Sequence, residues 1–405
     1  MALHTFHAFK SRNFRFYFIG QSVSLTGTWM QRTAVGWLIY ERTHSSFMLG
    51  LTLLASLFPT FIFSFPGGIA ADRYNRFRLM LLTQTASLVQ AILLTVAVLN
   101  GCDDVCVIIT LSVLLGVINA FDIPARQMII EDIVGNDSDL PNVLALNSSM
   151  VNLTRLAGPG LAGLILHKFG AIACFGLNAV SYIGVIGALF AMRLPKQLDE
   201  KKQRQMLVEL REGFQYVLSA PHIRATLLLV ASMSLLVTPF VTLMPVYAKD
   251  VFKGNAATFG ILESGIGAGA FAGAIYLAFL KKNRSPYKVI LAGMIIFGCC
   301  LLGFAWAKQY PLAVALATIG SIGMMIQVTT SNTLLQTQAA KPMRGRVVSY
   351  FAMAFFGVQP IGGLLIGILA QCLGAQTTIF MEGLAALAIA ILYTKMVRRG
   401  RSDNP

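Results

Sequence analysis

The stretch "GGIAADRYNRFRL", from Gly67 to Leu79, places one Asp and three Arg between two long apolar segments. The rest of the chain is poor in charge, because only 12% of its 405 residues are charged and 56% are hydrophobic. A soluble globular protein carries about 25% charged residues. The charged stretch therefore predicts a short polar loop between two segments that each cross a membrane.

Apolar segments long enough to cross a bilayer recur along the whole chain. Each is expected to be helical, because a backbone in lipid must satisfy its own hydrogen bonds. We predict twelve of these segments. The first six cover residues 14–40, 46–70, 78–100, 105–122, 142–167 and 171–192. The second six cover residues 224–248, 256–280, 287–307, 310–335, 347–373 and 376–396.

The net charge of +15 is unevenly distributed among the predicted loops. With the N-terminus placed in the cytoplasm, 25 of the 32 Lys and Arg fall on the inner side and 5 on the outer side. This is the positive-inside bias of membrane proteins, and it predicts that both termini are cytoplasmic. The basic excess therefore indicates topology and contact with anionic lipid, and we expect no nucleic-acid partner.

The longest charged stretch divides the predicted spans into two sets of six. We predict an N-terminal bundle at 1–193, a cytoplasmic linker with an amphipathic helix at 194–223 and a C-terminal bundle at 224–405. "RLAGPGLAG" (155–163) and "AFFGVQPIGG" (354–363) place Gly and Pro in the fifth span of each half. The predicted fold is an all-α membrane protein with twelve transmembrane helices in two pseudo-symmetric six-helix bundles, an architecture typical of transporters.

The opening stretch carries the pattern G-x-x-x-D-R-x-x-R, formed by Gly68, Asp72, Arg73 and Arg76. This pattern resembles the signature loop of the major facilitator superfamily. The resemblance implies a cytoplasmic gate that latches the outward-open state, with Gly68 allowing close helix approach and Asp122 as the partner of Arg73. Arg344 is assigned to the same gate. The alternative is that the arginines are only positive-inside anchors.

Four further segments resemble the drug and siderophore exporter branch of that superfamily, which includes the enterobactin exporters. They are "GTWMQRTAVGWLIYERTHSSFMLG" (27–50), "FDIPARQMIIEDI" (121–133), "NSSMVNLTRLAGP" (147–159) and "RGRVVSY" (344–350). The resemblance implies efflux across the bacterial inner membrane by alternating access and proton antiport. The Gly158-Pro159 pair resembles the antiporter motif of the fifth helix. Its alternative role is a packing kink.

Charged residues within the predicted spans are the sharpest functional candidates, because each is costly in lipid and should not face it. Arg32 and Arg155 either bind an anionic substrate or pair with carbonyls and buried acids, and for Arg155 we favour a structural or gating role. Glu263 and Glu382 lie near the outer face and are candidate proton carriers. The alternative for both is an outer-leaflet position that is wetted by the periplasm. Arg155, Gly158, Pro159, Glu263 and Glu382 are therefore assigned to coupling. The fourth span lacks the Arg of many antiporters, which leaves the coupling ion open.

The resemblance further implies that the first, fourth, seventh and tenth helices face a central cavity. Polar and adaptable residues on these helices are assigned to the substrate cavity: Gln21, Trp29, Gln31, Arg32, Asn119, Thr238, Met325, Gln327 and Ser331. Thr238 has an alternative role, since helical Thr often bonds to a carbonyl of its own helix.

The predicted function is secondary transport that exports a siderophore or a small amphiphilic, drug-like compound. The expected partners are a small-molecule substrate, protons and membrane lipids, for a monomer in the bacterial inner membrane. No cofactor or metal site is expected, and there is no nucleotide-binding loop. The alternatives are a lysophospholipid flippase, a siderophore importer and a membrane-embedded enzyme. The enzyme ranks last, because no nucleophile and base cluster in one segment.

Overall fold

A computed structural model describes residues 7–102, 104–133, 140–192, 206–280 and 284–402. Within these ranges all regular secondary structure is helical. Residues 194–205 of the predicted linker lie outside the described residues.

Five long helices form the first half of the chain. They are α1 (Arg12–Thr43), α2 (Ser46–Arg73), α3 (Arg76–Leu99), α4 (Val105–Ile133) and α5 (Leu140–Ala191). Helix α5 is 52 residues long and contains one non-helical residue, Gly170, with a φ of 75°. That left-handed backbone favours glycine. Gly170 therefore divides α5 into the predicted fifth and sixth spans.

The second half contains nine α-helices, several of them short. They are α6 (Met206–Ser219), α7 (Pro221–Leu236), α8 (Met244–Val246), α9 (Ala256–Phe279), α10 (Pro286–Ala305), α11 (Tyr310–Gln338), α12 (Arg344–Ala352), α13 (Gln359–Leu373) and α14 (Ala375–Ser402). The seventh span combines α7, a 3₁₀ segment Thr238–Leu243, α8 and a π-helical turn Tyr247–Val251. The eleventh span combines α12, a π-helical turn Met353–Gly357 and α13.

Ten helical stretches of the described chain are long and apolar enough to cross a membrane. One of the ten is the α5 stretch, which supplies two spans on either side of Gly170. Helix α1 adds a further span of 32 residues, although its charged residues lower its mean hydropathy. The predicted all-α fold with twelve membrane spans is therefore confirmed.

The chain divides into two compact units. Unit 1 comprises Met1–His44, Ala55–Lys202 and Gly254–Ser264, and unit 2 comprises Ser45–Leu54, Gln203–Lys253 and Gly265–Pro405. Unit 1 thus includes the first residues of α9, and unit 2 the first residues of α2. The predicted domain division at residues 194–223 stays a prediction.

Unit 1 contains a close contact between α5 and the start of α9. A Cβ atom added to Gly163 would lie 2.8 Å from the Ala256 carbonyl oxygen and 2.8 Å from the Gly260 Cα atom. A Cβ atom on Gly260 would lie 2.6 Å from the Pro159 carbonyl oxygen. Since these obstacles are backbone atoms, two glycines are required for the approach.

Unit 2 contains a similar contact between the start of α2 and α13. A Cβ atom on Gly50 would lie 2.5 Å from the Gly363 carbonyl oxygen, and one on Gly367 would lie 2.6 Å from the Ser46 carbonyl oxygen. The side-chain oxygen of Gln371 accepts hydrogen bonds from the Ser45 hydroxyl and the Ser46 amide, both at 3.0 Å. Small residues and a helix cap together fix this contact.

The predicted amphipathic helix corresponds to α6, which packs against α12 in unit 2. Glu212 forms an ion pair with Arg346 at 2.7 Å, and the Phe214 and Tyr350 rings lie 6.3 Å apart. Val217 is buried, whereas Phe214 is exposed. The side chains of Leu207 and Leu210, which the prediction also used, lie outside the described part of the chain.

We expect Gly163→Ala to destabilise the protein by about 1–3 kcal/mol, because its methyl group would overpack a backbone contact. The thermal unfolding midpoint of the detergent-solubilised protein measures this loss. The matched control is Gly36→Ala in α1, where an added Cβ meets no described atom within 4 Å. Equal midpoints for the two variants would show that the α5–α9 contact is looser than described.

Candidate functional site

Two arginines share one tryptophan in unit 1. Trp29 and Arg32 lie three residues apart on α1, so both side chains project from the same face of the helix. The Arg32 guanidinium carbon lies 5.3 Å from the Trp29 ring centroid, and that of Arg155, from α5, lies 5.8 Å from it. Both distances are within the range of a cation–π interaction.

A single carboxylate accompanies this pair of cations. Glu263, on α9, accepts a hydrogen bond from the Thr33 hydroxyl at 2.6 Å and interacts electrostatically with Arg32 and Arg155. We call Trp29, Arg32, Thr33, Arg155 and Glu263 the arginine cluster. With both guanidinium groups and the carboxylate ionised, the arginine cluster carries one surplus positive charge.

The arginine cluster is accessible through Arg32. Arg32 is exposed, whereas Trp29, Arg155 and Glu263 are half-buried. A guanidinium group at membrane depth costs roughly 2.5–3.5 kcal/mol on insertion scales, so it does not face lipid without compensation. The accessible side is therefore suited to a polar ligand.

The Gly158-Pro159 pair brings α5 close to this cluster. A Cβ atom on Gly158 would lie 2.5 Å from the Trp29 Cβ atom, so a larger residue would displace the shared ring. Both Gly158 and Pro159 are buried, and the Ser264 hydroxyl donates to the Leu156 carbonyl at 3.0 Å. The structure thus gives the pair a packing function, while a coupling function stays a prediction.

Gln31 is directed into the interior of unit 1 and not towards a ligand. Its amide donates to the Gln90 side chain at 3.0 Å and accepts from Asn178 at 2.7 Å. Gln31 is 2% exposed. Gln21 is also buried, and within the described residues neither polar atom of its amide has a hydrogen-bond partner. Neither glutamine presents its side chain to solvent, contrary to what a cavity lining requires.

The gate partner expected for Arg73 is engaged elsewhere. The Asp122 carboxylate accepts hydrogen bonds from Thr83 at 2.8 Å and Gln84 at 2.7 Å, and pairs with Arg126 at 3.3 Å. The expected Asp122–Arg73 pair is therefore wrong for this structure. Two α3 side chains and Arg126, one turn along α4, engage the buried carboxylate in its place.

The other gate residues lie at the surface of their units. Asp72, Arg73 and Arg344 are exposed, and neither Asp72 nor Arg73 forms an ion pair with a described residue. Arg76 donates to the Met128 carbonyl at 3.4 Å. The expectation for Gly68 is wrong, because a Cβ atom there would meet no described atom within 4 Å. The neighbouring Gly67 makes the close approach, against the Ala120 carbonyl of α4.

The remaining cavity candidates differ in exposure. Asn119 and Met325 are half-buried, whereas Thr238, Gln327 and Ser331 are buried in unit 2. The Thr238 hydroxyl donates to the Met233 carbonyl at 3.1 Å, as its alternative role requires. Gln327 donates to the Ser331 hydroxyl at 3.3 Å. These hydrogen bonds are internal to unit 2, and the two pairs stabilise their own helices.

Sequence reasoning missed three features of these sites. The first is the shared Trp29 ring, the second is the Gln31–Gln90–Asn178 network and the third is the break in the seventh span. The polar residues Gln90 and Asn178 within apolar spans were an available signal for the network. Pro239 was an available signal for the break.

The described fold is the fold of solved membrane transporters. The crystal structure of the nucleoside transporter NupG matches with a TM-score of 0.78 at 12% identity, covering 95% of this chain and 99% of that one. A bacterial homologue of the human lysosomal transporter Spinster matches with a TM-score of 0.74 at 12% identity, covering 96% and 98%. Likeness at this identity establishes the fold.

The chain belongs to the transmembrane secretion effector family, whose sequence profile matches residues 3–404. The staphyloferrin A transporter of Staphylococcus aureus is 26% identical, over 94% of this chain and 95% of that protein. The multidrug efflux pump Tap of Mycolicibacterium fortuitum is 24% identical, over 91% and 92%. The predicted superfamily and exporter branch are confirmed, and the chain is a multi-pass membrane transporter and not an enzyme.

We expect Asp122→Asn to lower the stability of the protein by about 1.5–3 kcal/mol, because Arg126 loses a charge-assisted partner. Arg73→Gln, at an exposed position, should change stability by no more than about 0.5 kcal/mol. Thermal unfolding of the two purified variants measures both effects. Similar losses of stability in the two variants would indicate that Asp122 and Arg73 form the expected ion pair.

Proposed function

We propose that the protein exports a small molecule with carboxylate groups, of the siderophore type, from the cytoplasm by alternating access. The observation that supports this proposal is the arginine cluster, where two guanidinium groups lie against one ring and a single carboxylate interacts with both. In this proposal both termini are cytoplasmic, and Asp72, Arg73, Arg76 and Arg344 remain candidates for the inner gate.

The charge balance of the arginine cluster favours an anionic ligand. Arg32 and Arg155 repel each other electrostatically, and Glu263 offsets only one of the two charges. A carboxylate from the ligand would bring the cluster to neutrality. Guanidinium groups bind carboxylates with two parallel hydrogen bonds, which adds geometric selectivity to the attraction.

The same balance disfavours a cationic drug at this site, because the surplus positive charge would repel it. Relatives of this chain include both kinds of exporter, since one is named a staphyloferrin A transporter and others multidrug or macrolide efflux proteins. The charge of the arginine cluster therefore favours a carboxylate-bearing substrate over a cationic drug. Trp29 supplies an apolar surface for the rest of the ligand.

The membrane potential favours the export of an anion over its import. A bacterial cytoplasm is electrically negative, and each negative charge that leaves it gains roughly 2.3 kcal/mol per 100 mV. Import of the same anion would work against this potential. The membrane potential thus contributes to export, and an inward proton movement adds a second driving force.

Glu263 is suited to be a counter-ion, and poorly suited to carry the antiported proton. Protonation of Glu263 would leave two uncompensated guanidinium groups, which would strengthen anion binding. Antiport requires the opposite, because proton and substrate must weaken each other's binding. Arg155, Gly158, Pro159 and Glu263 therefore form the substrate side of the proposed coupling, and the proton binds elsewhere.

Citrate binding to a single-tryptophan protein tests the arginine cluster directly. The chain has three Trp, so Trp37→Phe with Trp306→Phe leaves Trp29 as the only tryptophan, which is excited selectively over the Tyr residues. We expect citrate, used as a tricarboxylate probe, to change the Trp29 fluorescence saturably. Arg32→Gln or Arg155→Gln should weaken binding roughly tenfold to a hundredfold, the equivalent of about 1.5–3 kcal/mol. Glu263→Gln should tighten it.

The matched control is Arg15→Gln, at an exposed position on the same helix, which should leave citrate binding unchanged. A response of Trp29 to ethidium, with none to citrate, would overturn the carboxylate proposal in favour of a cationic amphiphile. Equal loss of binding in the control variant would indicate non-specific attraction to basic residues.

Inside-out membrane vesicles test direction and coupling. We expect vesicles that contain the protein to accumulate radiolabelled citrate when energised, and to lose this accumulation when the proton gradient and membrane potential are collapsed. Accumulation in right-side-out vesicles alone would indicate import. Movement of a fluorescent lysophospholipid between leaflets without any gradient, with no citrate transport, would indicate a flippase.

A further inference from the structure

Unit 2 buries one carboxyl group without a partner. Glu382 lies on α14 and is 2% exposed. Within the described chain neither oxygen of its carboxyl group has a hydrogen-bond partner. This distinguishes it from Glu263, whose carboxylate has a hydroxyl donor and two nearby guanidinium groups.

The surroundings of Glu382 are mainly apolar. The next residue, Gly383, packs so closely on Leu302 of α10 that an added Cβ would lie 2.9 Å from that side chain. Tyr247, from the seventh span, interacts electrostatically with Glu382, but its hydroxyl donates to the Ala305 carbonyl at 3.2 Å. The Tyr247 ring packs on Phe304 with 4.7 Å between the centroids.

An ionised carboxylate in these surroundings would be unfavourable by several kcal/mol, because no cation or donor compensates its lost hydration. A neutral carboxylic acid avoids this cost. The described geometry therefore fits Glu382 in its protonated form.

The elements packed against α14 carry few groups that could compensate a charge. These elements are α7, α10, α13 and the 3₁₀ segment Thr238–Leu243. Their titratable or charged side chains belong to Tyr287, Lys288, Cys299 and Cys300 of α10, His222 and Arg224 of α7, and Cys372 of α13. The π-helical turn further along the seventh span adds Tyr247, Lys249 and Asp250. Among the described residues, Tyr247 is the one that interacts electrostatically with Glu382. Tyr247 is neutral, so the carboxyl group has a polar neighbour and no counter-ion.

Tyr247 belongs to the most irregular part of the seventh span, whose 3₁₀ segment packs against α14. Helix α7 ends at Leu236, a 3₁₀ segment containing Pro239 follows, and Tyr247 begins the π-helical turn. Such interruptions weaken the regular hydrogen-bond ladder, and π-helical turns are frequent at functional sites. A small movement of this backbone would admit water to the carboxyl group, which is what reversible proton exchange needs.

From this geometry we infer that Glu382 is a reversible proton-binding site, through which the proton gradient is coupled to transport. The inference deepens the proposed function and rests on it for the coupling step alone. It assigns the two acids different tasks: Glu263 balances charge at the substrate site, and Glu382 binds the driving proton in unit 2.

Infrared spectroscopy of the purified full-length protein tests the site without any substrate. We expect the carbonyl stretch of a buried carboxylic acid at neutral pH in the wild type, and its reversible disappearance as the pH is raised. Glu382→Gln, which matches the neutral form in shape, should fold and lack this band. Glu263→Gln and the exposed Glu41→Gln should retain it.

Two spectroscopic outcomes would overturn the inference. An unchanged band in Glu382→Gln would show that Glu382 is ionised. A band that persists up to the pH at which the protein unfolds would show a permanently neutral, structural acid. Both readings are independent of citrate transport, so a failure of the proposed substrate class does not affect them.

The coupling step has its own readout in the energised inside-out vesicles. Glu382→Gln should bind citrate like the wild type but lose accumulation driven by the proton gradient. Undiminished proton-driven accumulation in this variant would exclude Glu382 from coupling. If citrate is transported by neither protein, the proposed substrate fails, and the infrared result still decides whether Glu382 binds a proton.

Discussion

The cost of an uncompensated charge at membrane depth is the constraint on which the rest of this structure depends. Each ionisable group in a span must be paired, made accessible to a polar ligand, or held neutral. Unit 1 uses the first two solutions, since Glu263 accepts a hydrogen bond and interacts with both arginines, and Arg32 is exposed. Unit 2 uses the third at Glu382, whose oxygens have no partner among the described residues. The functional groups are therefore recognisable from how their charges are satisfied.

This constraint also determines whether proton binding and substrate binding strengthen or weaken each other. Protonation of Glu263 raises the net positive charge of the arginine cluster, and an anion bound beside Arg32 lowers it. Each event therefore favours the other. An exporter driven by inward proton movement needs two events that oppose each other. An acid outside the arginine cluster satisfies that requirement more readily, provided that its protonation alters the conformation of its own unit. The irregular seventh span offers such a conformational element beside Glu382.

The sequence predicted the features that depend on local composition. Hydropathy located the twelve spans, although α4 continues to Ile133, well beyond its predicted end at residue 122. The charged stretch at Gly67–Leu79 indicated the superfamily. Contacts between distant residues could not be predicted in this way. Asp122 has three polar neighbours in reach, and only packing decides that Thr83, Gln84 and Arg126 engage it. The shared use of Trp29 depends equally on the Gly158 contact, which has no periodic signal in the sequence.

The buried polar network of unit 1 explains why a binding site can be held in place there. Gln31 is tied to Gln90 and Asn178, and the Thr28 and Tyr182 hydroxyls lie 3.2 Å apart. These bonds connect α1 to α3 and to the second half of α5. Since Trp29 lies between the anchored positions Thr28 and Gln31, and Arg32 follows directly, these hydrogen bonds hold the α1 side of the arginine cluster in place. A rigid frame for the ligand and an irregular span for the proton allow recognition and movement to be assigned to different parts of one chain.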